Sequence, residues 1–160
     1  MKFDLHPARW FESLDGGAVR CLVCPRRCRI PEGGSGWCGS RANRGGTLFS
    51  LSYGYPVALQ IDPIEKKPLL HFRNGTQAFS IGTCGCNLGC GFLQDHNLSR
   101  ETYHERATYR RYTPGALVDL ICRHGCECVA FTFNEPTTWL EYAEDVAELA
   151  RGAGISTILV

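Results

Sequence analysis

The sequence has no apolar run approaching the roughly 20 residues that a bilayer-spanning helix requires. Its opening, MKFDLHPARWFESLDGG, holds acidic side chains and a Trp where a secretory signal carries an apolar core. Both absences point to a cytoplasmic protein. An excess of one charge is missing too: the formal net charge is +1, with no electrostatic reason to expect nucleic acid or an anionic membrane as partner. At 160 residues the chain is the size of one ordinary domain, enough for a single core.

Cysteine, by contrast, is abundant, with ten residues. In a secreted chain that number would mean a disulfide framework. Without an export signal, metal or redox chemistry is the better reading. Cys21, Cys24, Cys28 and Cys38 are spaced C-x2-C-x3-C-x9-C, with Pro25, Pro31, Gly33, Gly34 and Gly36 among them. Such a segment is built of turns and cannot supply a core of its own. Four thiolates in it suit tetrahedral zinc or an iron-sulfur cluster, the metal remaining open. The alternative is a small knob of packed, reduced thiols. Arg20, Arg26, Arg27, Arg29 and Arg41 would lower the thiol pKa values, or else form a solvated basic face.

Before this segment, residues 1–20 read as a short helical lead-in ending at Gly16-Gly17. After it, residues 47–61 read as two short strands broken at Gly54, a β-hairpin. From residue 78 the pattern alternates β-α-β-α-β. A strand over 78–83 leads to a Gly-rich loop and a polar stretch. Thr113 and Pro114 then open a helix that Gly125 stops. CVAFTF, residues 128–133, is the second strand. Thr137 or Thr138 caps a second helix, whose Trp139, Ala143, Val146 and Ala150 share one face. Residues 155–160 form a third strand. This alternation predicts parallel strands joined by right-handed crossovers.

The loop at 83–95, TCGCNLGCGFLQD, carries Cys86 and Cys90 four apart at the end of a strand, with Phe92 two residues further on. Thiolates on a flexible loop can converge on one soft metal centre. This stretch resembles the cluster loop of the radical S-adenosylmethionine (SAM) superfamily, C-x-x-x-C-x-aromatic-C. It is most similar to the version in relatives of the pyruvate formate-lyase activating enzyme. Gly85, Cys86, Asn87, Cys90, Phe92 and Gln94 match that pattern. Position 93, where the third cysteine is expected, is Leu, and Asp95 replaces an expected Asn. Residues 62–72, DPIEKKPLLHF, taken alone are a polar turn with exposed ion pairs. They are similar, nearly letter for letter, to a segment of the radical SAM member of the AmmeMemoRadiSam system. The CxxCPRxC opening and Gly36-x-Cys38 resemble that branch as well.

The resemblance implies an N-terminal Cys-rich and hairpin region, residues 1–75, and the first part of a partial parallel β/α barrel, residues 76–160, truncated. It implies a [4Fe-4S] cluster held by Cys86 and Cys90, with Leu93 where the third ligand belongs, and SAM bound beside it. Phe92 would lie near the adenine, and Asn134 with Glu135 near the SAM amino group. The activity implied is reductive cleavage of SAM to a 5′-deoxyadenosyl radical, as in glycyl-radical activases, impaired here by Leu93. Flavodoxin- or ferredoxin-like electron donors and Memo-like and AMMECR-type proteins would be partners.

Taken alone, Asn134-Glu135-Pro136 is a helix-entry turn. Cys84 is the nearest substitute for the missing ligand. Cys122, Cys126 and Cys128 read as buried small apolar residues. His71, His96, His104 and His124 lack metal-ligand spacing. Two other classes of function stay open, a non-catalytic zinc or iron-sulfur module and a cofactor-free scaffold.

Overall fold

The computed structural model describes residues 4–91, 97, 99, 103 and 110–160. Among these, the chain opens with β1 (His6–Pro7), β2 (Phe11–Ser13), β3 (Val19–Cys21), β4 (Arg29–Ile30), β5 (Arg41–Arg44) and β6 (Thr47–Ser50). They make two small antiparallel sheets, ordered β1-β6-β5 and β2-β3-β4. A third sheet combines β7 (Ala58–Pro63), β8 (Gln77–Gly82), β9 (Cys128–Phe131) and β10 (Ser156–Leu159) in the order β10-β9-β8-β7. Strands β8, β9 and β10 are parallel, and β7 runs antiparallel to β8 at the edge. Helices α1 (Pro114–Arg123) and α2 (Leu140–Gly152) accompany it, the latter entered through a 3-10 turn at Pro136–Trp139.

The three parallel strands and both helices follow from the sequence pattern. Thr113 Oγ1 accepts the Ala116 N–H at 3.2 Å, Pro114 opens α1, and Gly125 follows its end at φ 65°. Phe79 and Ile81 of β8 and Val129 and Phe131 of β9 alternate onto the face that packs against Leu117, Ile121, Trp139, Tyr142 and Val146. The opposite face buries Ala78, Cys128, Ala130, Ile158 and Ile64. A strand repeats every two residues, so each of these strands is apolar on both sides.

The N-terminal third differs from expectation. Residues 4–20 are not a helical lead-in. They form β1, β2 and the start of β3, with one 3-10 turn at Asp15–Gly17. The expected hairpin over 47–61 does not form either. β6 pairs with β5, and β7 pairs with β8. Gly45 and Gly46, at φ 62° and 73°, make the two-residue turn that closes β5 on β6. Two consecutive glycines in the left-handed region suit a tight hairpin turn, a stronger local signal than the single Gly54. A boundary at residue 75 would also cut the third sheet, since β7 belongs to it. Finally, the second helix is entered from Glu135, whose carboxylate accepts the Thr137 N–H at 3.2 Å, and not from a Thr cap.

Candidate functional site

The ends of β8 and β9 meet at the Gly-rich loop. Asn134, just beyond β9, is buried and spends its whole amide on that loop. Its Oδ1 accepts the Thr83 N–H at 3.0 Å, and its Nδ2 donates to Thr83 Oγ1 at 3.0 Å and to the Gly85 carbonyl at 2.6 Å. The Asn-Glu-Pro turn therefore sits against the thiol loop, as ligand sites at the carboxyl ends of parallel strands require. Phe133, before it, is held at φ 70°, an uncommon conformation for an aromatic residue. Glu135 faces its own helix entry, accepting from the Thr137 N–H and the Thr137 hydroxyl. Its carboxylate thus has the helix-entry role that the bare tripeptide suggests.

Cys86 is buried, and its Sγ accepts the Leu88 N–H at 3.4 Å. Backbone N–H bonds of this type tune cluster sulfurs. Cys90 is half-buried on the same loop. Phe92, Leu93, Gln94, Asp95, His96 and His104 lie outside the described residues. Cys84 is buried in a cluster with Ala42, Leu51, Tyr55 and Tyr103, and its N–H donates to Tyr103 Oη at 3.0 Å. Cys126 and Cys128 are buried as expected, whereas Cys122 is exposed because the buried face of α1 is carried by Leu117, Val118 and Ile121. His71 and His124 are exposed.

The N-terminal cysteines come together. Cys21, Cys24, Cys28 and Cys38 all line one small cavity, shared with Arg26, Arg41, Asn87, Thr137 and Thr138. Two turns build it: the Cys21 N–H bonds the Cys28 carbonyl at 3.0 Å, and the Gly36 N–H bonds the Arg41 carbonyl at 2.8 Å. Burial pushes the Cys21 and Cys38 thiols up, with backbone hydrogen bonding and the Arg41 charge opposing it. As the side chains stand, no three His, Cys, Asp or Glu groups among the described residues are gathered closely enough to hold a metal ion.

Several contacts tie this knob to the loop and to α2. The Arg26 Nε–H donates to the Asn87 carbonyl at 2.7 Å, and the Ser40 hydroxyl donates to the Cys84 carbonyl at 2.8 Å. A Cβ on Gly85, at φ 87°, would collide with Ser40 Oγ and with the Cys38 carbonyl oxygen. Only glycine lets the loop lie this close to the knob. Arg41 is not a solvated charge. It makes a bidentate pair with Glu141, at 2.7 and 2.6 Å, with side-chain exposures of 1% and 0%. Glu141 Oε1 also accepts the Arg9 N–H at 3.2 Å. Burial would push the Glu141 carboxyl up, but bonding and charge from Arg41 override it and hold the carboxyl below its ordinary range.

In the segment at 62–72, Asp62 and Ile64 are buried while Pro63, Lys66, Pro68, Leu70, His71 and Phe72 are exposed. Asp62 accepts from Lys66 Nζ at 2.7 Å, and Lys67, its side chain 10% exposed, lies 3.8 Å from Asp62 and over the Phe133 ring. Thus the segment reaches the residue that precedes the Asn134 clamp.

Comparison with known proteins identifies a relative. The chain is 38% identical over 156 residues to uncharacterized protein MJ0808 of Methanocaldococcus jannaschii, an alignment covering 98% of this chain and 46% of that protein. The chain therefore spans about half the length of the curated relative it matches. No family model and no solved structure matches it. Among the described residues, no helix is long and apolar enough to cross a membrane.

Ser40 and Glu141 are neighbours of the two thiol groups to which the sequence alone assigns no role, and Gly85 and Asn87, matched there only to the loop pattern, gain a packing role. Gly85 had a usable signal, a glycine between two cysteines. Glu141 sits on a helix whose other acidic residues, Glu144, Asp145 and Glu148, are not buried, so nothing local marks it.

Proposed function

We propose that the chain belongs functionally with radical SAM proteins of the AmmeMemoRadiSam type, its 83–95 loop being a cluster loop. The observation that carries this reading is the Asn134 clamp, which joins the turn after β9 to Thr83 and Gly85 of the thiol loop. The resemblance asks for that juxtaposition, and composition does not. When bound, a [4Fe-4S] cluster and SAM would supply a 5′-deoxyadenosyl radical by one-electron cleavage of the sulfonium C–S bond, the electron coming from a flavodoxin- or ferredoxin-like donor.

This chain's residues fit that cofactor pair incompletely. Cys86 and Cys90 offer two thiolates, and the sulfur of Cys86 is already hydrogen-bonded by the Leu88 N–H. Leu93 offers no ligand, and Cys84 is packed in an apolar cluster. Two thiolates leave a second iron exposed, so we expect weak or absent SAM cleavage by the chain as it stands. Memo-like and AMMECR-type proteins remain the proposed partners.

Anaerobic reconstitution with iron and sulfide tests the reading. In Leu93→Cys, a cluster with about four irons and SAM-dependent release of 5′-deoxyadenosine are expected. Both should vanish when Cys86→Ala is added. If Leu93→Cys gains no iron, sulfide or 5′-deoxyadenosine, the loop assignment is refuted.

A further inference from the structure

We propose that the cavity lined by Cys21, Cys24, Cys28 and Cys38 is a structural site for a single zinc ion, separate from the Cys86 loop. The chemistry of the donor set is the first reason. Four thiols with no carboxylate or imidazole among them select a soft ion. The second is size. The cavity is about 20 Å³ as the side chains stand, enough for one small occupant.

The third is an unsatisfied donor. Arg41 Nε belongs to a side chain lining this cavity, is buried, and has no hydrogen-bond partner among the described residues. The two terminal nitrogens of Arg41 are engaged by Glu141, which leaves the buried Nε–H without a partner among the described residues. A metal-bound thiolate is an anionic acceptor that this N–H lacks in its absence. Bonds of that kind to ligand sulfurs are what fix metal-thiolate sites.

The backbone is arranged to suit. Hydrogen bonds within the 21–28 and 36–41 turns hold the four Cα positions around the cavity, and Arg27, at φ 45°, sharpens the first turn. The thiols are not gathered as the side chains stand. Cys21 and Cys28 pack with Ala8, Val19, Ile30 and Leu48, so binding an ion requires the half-buried Cys24 and Cys28 to turn toward the cavity. Each thiol gives up its proton as the ion binds, so four protons leave and the divalent ion with four thiolates carries a net negative charge. Arg26, on the cavity wall, and the neighbouring Arg27 and Arg29 offset it.

The test uses the whole chain carrying Cys86→Ala and Cys90→Ala, so that its outcome is independent of the cluster-loop reading. After purification we expect about one zinc per chain by elemental analysis. Cobalt substitution should give the visible bands of a tetrahedral thiolate site. Cys24→Ser should weaken zinc retention by more than the roughly 10- to 100-fold that loss of an outer hydrogen bond costs. Cys24→His, which keeps a competent ligand, should restore most of it. In the chain without substitutions, alkylation read by mass spectrometry should show the same four thiols protected until a chelator is added.

Absence of zinc and cobalt binding with the thiols reduced would overturn the proposal. So would unchanged affinity in Cys24→Ser. Iron and sulfide bound at this cavity in the doubly substituted chain would overturn the single-ion assignment.

Discussion

Removing one partner of the Arg41–Glu141 pair should cost more stability than almost any other substitution on the chain. Both side chains are buried, the pair is bidentate, and it joins β5 of the knob to the first turn of α2. In Glu141→Gln the neutral amide leaves the Arg41 charge buried without a counter-ion. In Arg41→Met the carboxylate is stranded instead. Breaking a buried pair in this way costs about 3–5 kcal/mol, a large part of the roughly 5–15 kcal/mol that holds a domain together. With a urea slope of about 2 kcal/mol/M the midpoint falls by about 2 M. The joint change Arg41→Met with Glu141→Leu should recover most of the loss, since two packed apolar residues bury no charge. The pH dependence has a definite sign. The Glu141 carboxyl is held below its ordinary value in the folded chain, so its contribution is complete above the unfolded carboxyl pKa. It is lost as pH falls through the lower folded value. Urea unfolding of the three variants at neutral pH decides the matter. A loss below about 1 kcal/mol in both single variants, the range of exposed pairs, would refute the argument.

Gly85→Ala should cost more than about 2 kcal/mol, because a Cβ there meets the Cys38 carbonyl and the backbone is left-handed; thermal unfolding indistinguishable from that of the unsubstituted chain would contradict it. Asn134→Ala leaves the Thr83 N–H and the Gly85 carbonyl without their partner. Amide hydrogen exchange at Thr83 should then accelerate, with a global loss of about 1–3 kcal/mol, and unchanged exchange would show that the clamp is not maintained in solution. Phe133→Gly relieves a left-handed aromatic residue but removes the ring beneath Lys67. Thermal unfolding should show a net change within about 1 kcal/mol, less than Asn134→Ala; a larger loss would mean that the ring, not the backbone, dominates that position.

The β-α-β-α-β portion was readable because its signals are local. Thr113-Pro114 starts a helix, Gly125 ends it, and CVAF is a strand by composition and length. Trp139, Ala143, Val146 and Ala150, read as one face, are all buried. The knob was not readable in the same way. Its strands are two to four residues long, too short for alternation to show, and Gly45-Gly46 competes with many other glycines for attention. The four cysteines were legible as a group by spacing, and the structure places them around one cavity. Their enclosure depends also on Asn87 and Thr138, which come from two distant segments. Glu141 was unreadable in principle, since a helical glutamate is buried only when something far along the chain supplies its partner.

These long-range contacts suggest why the knob and the loop share one chain. The thiol loop is held from two sides: Asn134 holds one, and the knob holds the other through Gly85, the Ser40 hydroxyl and Arg26. Cys38, a cavity thiol, has its carbonyl against Gly85, one residue before Cys86. An ion in the cavity would fix Cys38 and, through that contact, the position of the loop backbone. Zinc in the knob would therefore pre-order the segment that carries Cys86 before any iron arrives, lowering the entropic cost of gathering ligands there. The consequence is asymmetric and measurable. Stripping zinc should slow or weaken metal uptake at the 86–90 loop in Leu93→Cys, while Cys86→Ala should leave zinc in the knob untouched. Equal dependence in both directions would mean that the two thiol groups fold as one unit and not as a support and a site.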